Sequence, residues 1–218
     1  MILIDTWGSN ESDSAISEQY KKIKSFLLKA RKNNFTIIHA PNFPVVEKYP
    51  QFHKIKEIVK DSLDKISKNR VPVFLDWSNV SYDSYNYLRH ARKRSKSIIY
   101  QDSPISERDI SFHLRPTMNE YVLESTEELR YVLWRNKIEV LIYVGGDLNE
   151  CMLFRPTGIN LFKLPGKTLP ISIIVLEDCS NARGSLLFND QLFSSAMIEL
   201  YKQHVFISQS EDIYFLQN

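Results

Sequence analysis

The chain alternates between short apolar runs and longer stretches with helical spacing. Runs that suit strands lie at residues 2–4, 35–38, 71–75, 98–100, 110–112, 140–144, 171–176 and 205–207. Amphipathic spacing predicts helices over 16–33, 51–68 and 185–203, and the segment from Ser125 to Glu128 has the pattern of an N-terminal cap before another. This order predicts an α/β fold with three layers, a mostly parallel sheet and helices on both faces.

Composition narrows the class of protein without naming a partner. With 43% hydrophobic and 25% charged residues, the chain has the profile of a globular domain, and we expect a single domain over 1–218. Lys and Arg outnumber Asp and Glu by 28 to 26, so the net charge indicates no partner. Two cysteines make no disulfide framework, and residues 1–5 resemble neither a signal peptide nor a membrane span. We therefore expect a cytoplasmic protein without a membrane partner.

The cysteine that follows the apolar run 140–144 is the first candidate for chemistry. Six residues separate Cys151 from that run, including the glycines Gly145 and Gly146, which permit a tight turn, and Cys151 stands at the start of a predicted helix. Free backbone N–H groups and the positive end of a helix would lower the pKa of a thiol there and hold an oxyanion. The alternative is a small, buried apolar side chain.

Two charged residues also come after predicted strands. Asp5 follows the first strand, where a buried carboxylate is suited to general-base work, although it could equally cap a helix or pair with a surface cation. Arg115 follows the run 110–112 and could hold Asp5 and favour a thiolate. The alternative for Arg115 is an ordinary surface arginine before Pro116.

Together these residues resemble the isochorismatase-like cysteine hydrolase superfamily. The resemblance rests on an acid ending the first strand, a basic residue ending a middle strand, and a glycine-led segment before a cysteine. The positions that match are Asp5, Arg115, Gly145, Leu148, Cys151 and Met152, and 155–158 is similar to the Cys-x-x-x-Arg-x-x-Gly run of one branch.

The resemblance implies a fold, an assembly and a reaction. It implies a six-stranded, mainly parallel sheet, assembly into homo-oligomers, and hydrolysis of a C–N bond of a small molecule without a cofactor. Cys151 would attack an amide carbonyl to give a thioester, Asp5 would exchange protons, and Arg115 would be the electrostatic partner. Backbone N–H groups of Leu148 and Cys151 would hold the oxyanion, with a cis peptide at Asp147–Leu148.

Departures from the family pattern favour a second hypothesis. The family's basic residue is a lysine where this chain has Arg115, and its threonine is replaced by Leu148. Pro156 also predicts that the helix after Cys151 kinks or starts anew. These features are compatible with a catalytically inactive relative that serves as a ligand-binding or oligomeric scaffold.

The residues that follow the predicted strands indicate a pocket without a metal ion. Trp7, His39, Phe43 and Trp77 follow strands and are expected to line a substrate pocket, unless they pack in the core or an interface. Nicotinamidase-like relatives carry an Asp-x-His pair, but residues 76–78 lack the histidine, so no metal is expected.

One dense basic run remains, at residues 89–96. It could contact an anion or nucleic acid, but a single run makes few phosphate contacts. A solvated helix end is the preferred interpretation, and we do not expect a nucleic-acid partner.

Overall fold

The structure is a computed structural model, and it describes residues 1–8, 17–67, 108–163, 171–182 and 189–214. Several predictions fall outside these residues. They are the strands at 71–75 and 98–100, the pocket residue Trp77 and the basic run 89–96.

Strands and helices alternate along most of the described chain. In order they are β1 (Ile2–Ile4), β2 (Trp7–Gly8), α1 (Glu18–Lys32), β3 (Ile38–Ala40), α2 (Pro50–Ser67), β4 (Asp109–Ile110), β5 (Tyr121–Val122), α3 (Thr126–Arg135), β6 (Val140–Gly145), α4 (Cys151–Phe154), α5 (Asn160–Lys163), β7 (Ser172–Ser180), α6 (Asp190–Tyr201) and β8 (Phe206–Ser208). Short 3₁₀ helices cover Val45–Lys48 and Phe112–Leu114.

Six of these strands form one sheet in the order β5-β3-β1-β6-β7-β8. All five pairings in it are parallel, and β1 lies between β3 and β6. The central strands are buried on both faces because helices cover them, which is why their sequences are apolar throughout. The predicted six-stranded α/β sheet is confirmed.

Helices pack on both faces of this sheet. On one face, α1 buries Ile23 and Leu27 against Leu3 of β1. On the other face, α2, α3 and α6 contribute Ile55, Leu129 and Ile198 to the cluster that contains Ile2 and Ile4. Successive residues of a strand point to opposite faces, so β1 supplies both layers of the core. This produces the predicted three-layer arrangement.

The predicted elements differ from the observed ones where strands are short. The strand expected at 35–38 lies at Ile38–Ala40, and the run 110–112 gives only the two-residue β4, which pairs antiparallel with β2 outside the main sheet. The strand β5 was not predicted. Helix signals were more accurate: Ser125 caps α3 with a capping box to Glu128. The helix that starts at Cys151 ends at Phe154, before Pro156, as predicted.

In the described part of the chain, no helix combines the length and apolarity that crossing a membrane requires.

Candidate active site

The candidate site lies at the carboxyl ends of the neighbouring strands β1 and β6. Ile4 is the register partner of Gly145, which has φ = 113°. A Cβ atom added at Gly145 would lie 2.1 Å from the Ile4 carbonyl oxygen. Only glycine allows the two strand ends to approach so closely, and this approach brings the segment after β6 beside the residue after β1.

Asp5 is that residue after β1. Its φ of 44° places it in the left-handed region, which asparagine and aspartate tolerate better than most residues. It is 5% exposed, and its carbonyl oxygen accepts a 2.8 Å hydrogen bond from the N–H of Trp7. A buried acid in a sparsely populated backbone conformation at a strand end is a feature that clusters at functional sites.

Cys151 and Arg155 complete a buried group of three side chains with Asp5. The Arg155 Nε donates to Asp5 Oδ2 at 3.1 Å, and its Nη2 donates to Asp5 Oδ1. The Cys151 thiol lies beside both the Asp5 carboxylate and the Arg155 guanidinium, close enough for each to shift its pKa. The side chains of Arg155 and Asp5 are 11% and 2% exposed, so this pair is largely shielded from solvent.

The electrostatics of the group keep the resting thiol protonated. Burial and then the Asp5 carboxylate raise the pKa of Cys151 to about 12, while Arg155 acts in the opposite direction. Burial also opposes the charge on Arg155, but Asp5 and Cys151 outweigh it and raise the pKa of the guanidinium. The expected depressed pKa of Cys151 is therefore wrong, because the negative charge of Asp5 lies beside a thiol that burial already keeps neutral.

A compact turn over residues 155–158 aims Arg155 at Asp5. The Gly158 N–H donates to the Arg155 carbonyl at 2.8 Å, and a Cβ at Gly158 would lie 2.7 Å from the Met152 carbonyl oxygen. Two side chains from other elements fasten the same turn. Tyr143 Oη donates to the Thr157 carbonyl and Thr126 Oγ1 to the Pro156 carbonyl, each at 2.7 Å. The spacing of Cys151, Arg155 and Gly158 therefore allows the turn that directs the Arg155 guanidinium at Asp5.

Arg115 does not occupy the place predicted for it. Its Nη2 donates to Asp109 Oδ2 at 2.9 Å, and its side chain is 41% exposed. The electrostatic partner of Asp5 is corrected from Arg115 to Arg155. Helical spacing carried the signal for Arg155, since residues four apart meet on one side of a helical turn and Cys151 begins that turn.

The two predicted oxyanion donors, the backbone N–H groups of Leu148 and Cys151, differ in their hydrogen bonding. The Leu148 N–H already donates to the Asn181 carbonyl at 2.7 Å, so it is corrected from an oxyanion donor to a structural amide. The expected cis peptide lies one bond earlier, at Gly146–Asp147. Among the described residues, no backbone acceptor is seen for the N–H of Cys151.

His39 lies on the opposite face of the sheet from Cys151. In register it is the partner of Leu3, which packs under α1, whereas its neighbours Ile38 and Ala40 belong to the cluster that touches Cys151. Its Nε2 lies 2.9 Å from Glu120 Oε2. The expected pocket position of His39 is corrected because strand alternation directs its side chain into this buried pair.

Two of the predicted aromatic lining residues, Trp7 and Phe43, lie in the described part of the chain, and their role in a pocket stays a prediction. Trp7 is half-buried two residues after Asp5, and the guanidinium of Arg108 lies 5.8 Å from its ring centroid. Phe43 is 55% exposed and precedes a cis proline, Pro44. Within the described segments, no group of three or more His, Cys, Asp or Glu side chains could hold a metal ion.

Comparison with known proteins identifies the fold. No protein-family model matches the chain, and no similar curated protein was found. Solved structures do match. An isochorismatase family protein from Desulfovibrio vulgaris subsp. vulgaris str. Hildenborough is 15% identical with a TM-score of 0.53, over 96% of this chain and 93% of that one. A cysteine hydrolase from Pseudomonas syringae pv. phaseolicola is 12% identical with a TM-score of 0.53, over 97% and 88%.

A third solved structure extends the comparison to an amidase. The N-carbamoylsarcosine amidase from Thermoplasma acidophilum is 14% identical with a TM-score of 0.50, over 97% of this chain and 96% of that one. At these identities the likeness concerns the fold. The chain has the α/β fold of isochorismatase-like hydrolases.

Proposed function

We propose that this protein is a cysteine hydrolase that cleaves a C–N bond of a small amide or carbamoyl compound. The observation that carries the proposal is the position of the Cys151 thiol beside the buried, hydrogen-bonded Asp5–Arg155 pair. It lies at the carboxyl ends of adjacent parallel strands, where open α/β sheets place their sites. The fold shared with a cysteine hydrolase and an N-carbamoylsarcosine amidase supports the same reaction class.

The proposed reaction begins with a proton transfer. The Cys151 thiol gives its proton to the Asp5 carboxylate as its sulfur attacks the substrate carbonyl carbon. The resulting oxyanion accepts a hydrogen bond from the Cys151 N–H. Arg155 stays charged throughout and holds both oxygens of Asp5, so the carboxylate is oriented toward the sulfur.

Two further steps complete the proposed cycle. The C–N bond breaks as the leaving nitrogen takes the proton from Asp5, which leaves a thioester on Cys151. Water then gives a proton to Asp5 and attacks the thioester carbonyl. The C–S bond breaks, the acid product leaves, and the thiolate recovers its proton from Asp5.

The raised pKa of Cys151 also bears on the second hypothesis, an inactive scaffold. A thiol whose pKa is about 12 is a poor nucleophile when it acts alone. In this site the Asp5 carboxylate, the acceptor for its proton, lies beside the thiol, so the thiolate need form only as the carbonyl is attacked. A scaffold has no need of a carboxylate held against a thiol by two guanidinium N–H groups.

The decisive experiment compares the two cysteines. Ammonia release from a panel of small primary amides and carbamoyl compounds is measured for the wild type, Cys151→Ala and Cys179→Ala. We expect turnover in the wild type and in Cys179→Ala, none in Cys151→Ala, and an acyl adduct on the Cys151 peptide after acid quenching. Equal turnover by Cys151→Ala and the wild type contradicts the proposal, and an intact Cys151→Ala fold, checked by circular dichroism, excludes misfolding as the cause of any loss.

A further inference from the structure

A second carboxylate lies within electrostatic reach of the candidate site. Glu124 follows β5, and β5 ends at the same edge of the sheet as β1 and β6. The Leu123 N–H donates to the His39 carbonyl at 3.0 Å, which fixes the chain just before Glu124. Two residues later, Thr126 Oγ1 donates to the carbonyl of Pro156, the neighbour of Arg155. The turn that carries Glu124 is therefore fastened to the turn that carries Arg155.

The Glu124 side chain is half-buried, and no described residue donates a hydrogen bond to its carboxylate. Burial and then the nearby Glu128 raise the pKa of Glu124, while Arg155 and Lys56 act against them. Arg155 cannot compensate this charge fully because two of its N–H groups already bind Asp5. An acid that lies partly out of water without a partner costs free energy unless a ligand supplies the missing donors.

Capping of the following helix does not account for Glu124. The N-terminus of α3 is already closed by the capping box of Ser125 and Glu128. The Glu128 Oε2 accepts from the N–H groups of Glu124 and Ser125 at 2.9 and 3.0 Å. Glu127 adds a further negative charge in the first turn of the helix. Within the described part of the chain, the Glu124 carboxylate therefore takes no part in capping α3.

We propose that Glu124 is a substrate-binding residue of the Cys151 site and that its carboxylate binds a positively charged nitrogen of the substrate. The charged group, an ammonium or amidinium, belongs to the part of the substrate away from the scissile carbonyl. This inference rests on the proposed function of Cys151. It narrows the substrate class to amides or carbamoyl compounds that also carry a cationic nitrogen.

The first test uses reagents of different charge and requires no turnover. Cys151 is alkylated with iodoacetate, iodoacetamide or 2-bromoethylammonium, and peptide mass spectrometry separates it from Cys179. For Glu124→Gln relative to the wild type, we expect the iodoacetate rate to rise and the 2-bromoethylammonium rate to fall, each by about three- to tenfold against iodoacetamide. Ratios to the neutral reagent cancel any change in the reactivity of the thiol itself.

The matched control is Glu127→Gln, which removes a charge from the same helix end at an exposed position. We expect its ratios to stay within about twofold of the wild type. Unchanged ratios in Glu124→Gln, or equal changes in both variants, overturn the inference. Unfolding midpoints of the two variants verify that both are folded.

The second test uses amides of matched size. All three compounds carry the same primary amide. β-Alaninamide also has a positive charge, succinamate has a negative charge, and propionamide is neutral. We expect Glu124→Gln to lower the ratio of kcat/KM for β-alaninamide to kcat/KM for propionamide by about tenfold or more. A wild type that prefers succinamate overturns the inference. If no amide is turned over, the proposed function fails, and the alkylation ratios alone decide whether Glu124 selects a cation.

Discussion

At the level of single residues, the charge of Asp5 is compensated by Arg155, and this leaves the thiol neutral. Arg155 donates two hydrogen bonds to the carboxylate, and both side chains are nearly inaccessible to solvent. A buried ion pair of this kind is destabilising to break because the remaining charge would have no partner. Cys151 can therefore stay protonated at rest without leaving Asp5 uncompensated, which suits a base that accepts the proton only during attack.

This arrangement predicts opposite effects of one substitution on two measurements. Asp5→Asn removes the negative charge that raises the pKa of Cys151 and leaves the Arg155 charge, which lowers it. We expect iodoacetamide to alkylate Cys151 about tenfold faster in Asp5→Asn than in the wild type at pH 8. We also expect the rate of amide turnover to fall by about a hundredfold or more, because the proton acceptor is gone.

The control for this prediction is Asp178→Asn. Asp178 raises the pKa of Cys179 rather than that of Cys151, so the alkylation rate of Cys151 should not change. Slower alkylation of Cys151 in Asp5→Asn than in the wild type would show that Asp5 activates the resting thiol instead of restraining it.

At the level of elements, Gly145, the last residue of β6, and Gly146, the residue after it, differ in the space around them. A Cβ at Gly145 would lie 2.1 Å from a backbone oxygen of β1, and the φ of 113° is strained for any L side chain. Among the described residues, a Cβ at Gly146 would meet the side chain of Asn181, whose oxygen would lie 2.9 Å away. The first contact is with backbone that β1 holds in place, whereas the second is with the end of a side chain.

These contacts predict different costs for two neighbouring substitutions. We expect Gly145→Ala to lower the free energy of unfolding by about 3 kcal/mol or more, because β1 and β6 must separate. Gly146→Ala, its matched control, should cost about 1 kcal/mol, since Asn181 can move away. Urea denaturation measures both values. Equal costs would mean that the approach of β6 to β1 does not depend on Gly145.

The same elements show what sequence patterns can predict. The apolar runs of β6 and β7 are long because both faces of these strands are covered, so the runs themselves revealed the centre of the sheet. The strand β5 has only two residues, and its pairing with β3 is a tertiary effect without a local pattern. Ser125 was recognisable because a capping box is local.

Within the candidate site, the same division between local and tertiary signals applies. Asp5 and Cys151 could be predicted because strand ends converge at one edge of a parallel sheet. The sequence also contained Arg115 and Arg155, but choosing between them requires the path of the turn that ends at Gly158. Leu148 shows the corresponding difficulty for backbone groups, since its amide is engaged by the distant Asn181.

At the level of the whole molecule, a buried polar network joins the segment before β5 to α1 and β3. Glu120 accepts hydrogen bonds from Arg31 Nε at 2.7 Å, His39 Nε2 at 2.9 Å and the Thr117 N–H at 2.9 Å. Burial opposes its ionisation, but the hydrogen bonds from His39, Arg31 and Thr117 outweigh it and lower the pKa of Glu120 from 4.5 to about 2. Burial also lowers the pKa of His39, against the opposing effect of Glu120.

Both shifts give global stability the same dependence on pH. The unfolded chain binds protons at His39 below pH 6.5 and at Glu120 below pH 4.5. In the folded chain both pKa values are lower, so both groups bind protons only at a lower pH. Stability is therefore fully present above these values and declines as the pH falls, with the Glu120 part lost between about 4.5 and 2. We expect Glu120→Gln to flatten the decline in that range, whereas Glu57→Gln, an exposed control on α2, should keep the wild-type slope. Urea denaturation from pH 7 to pH 2.5 measures the slopes, and an unaltered slope in Glu120→Gln would place the acid sensitivity elsewhere in the molecule.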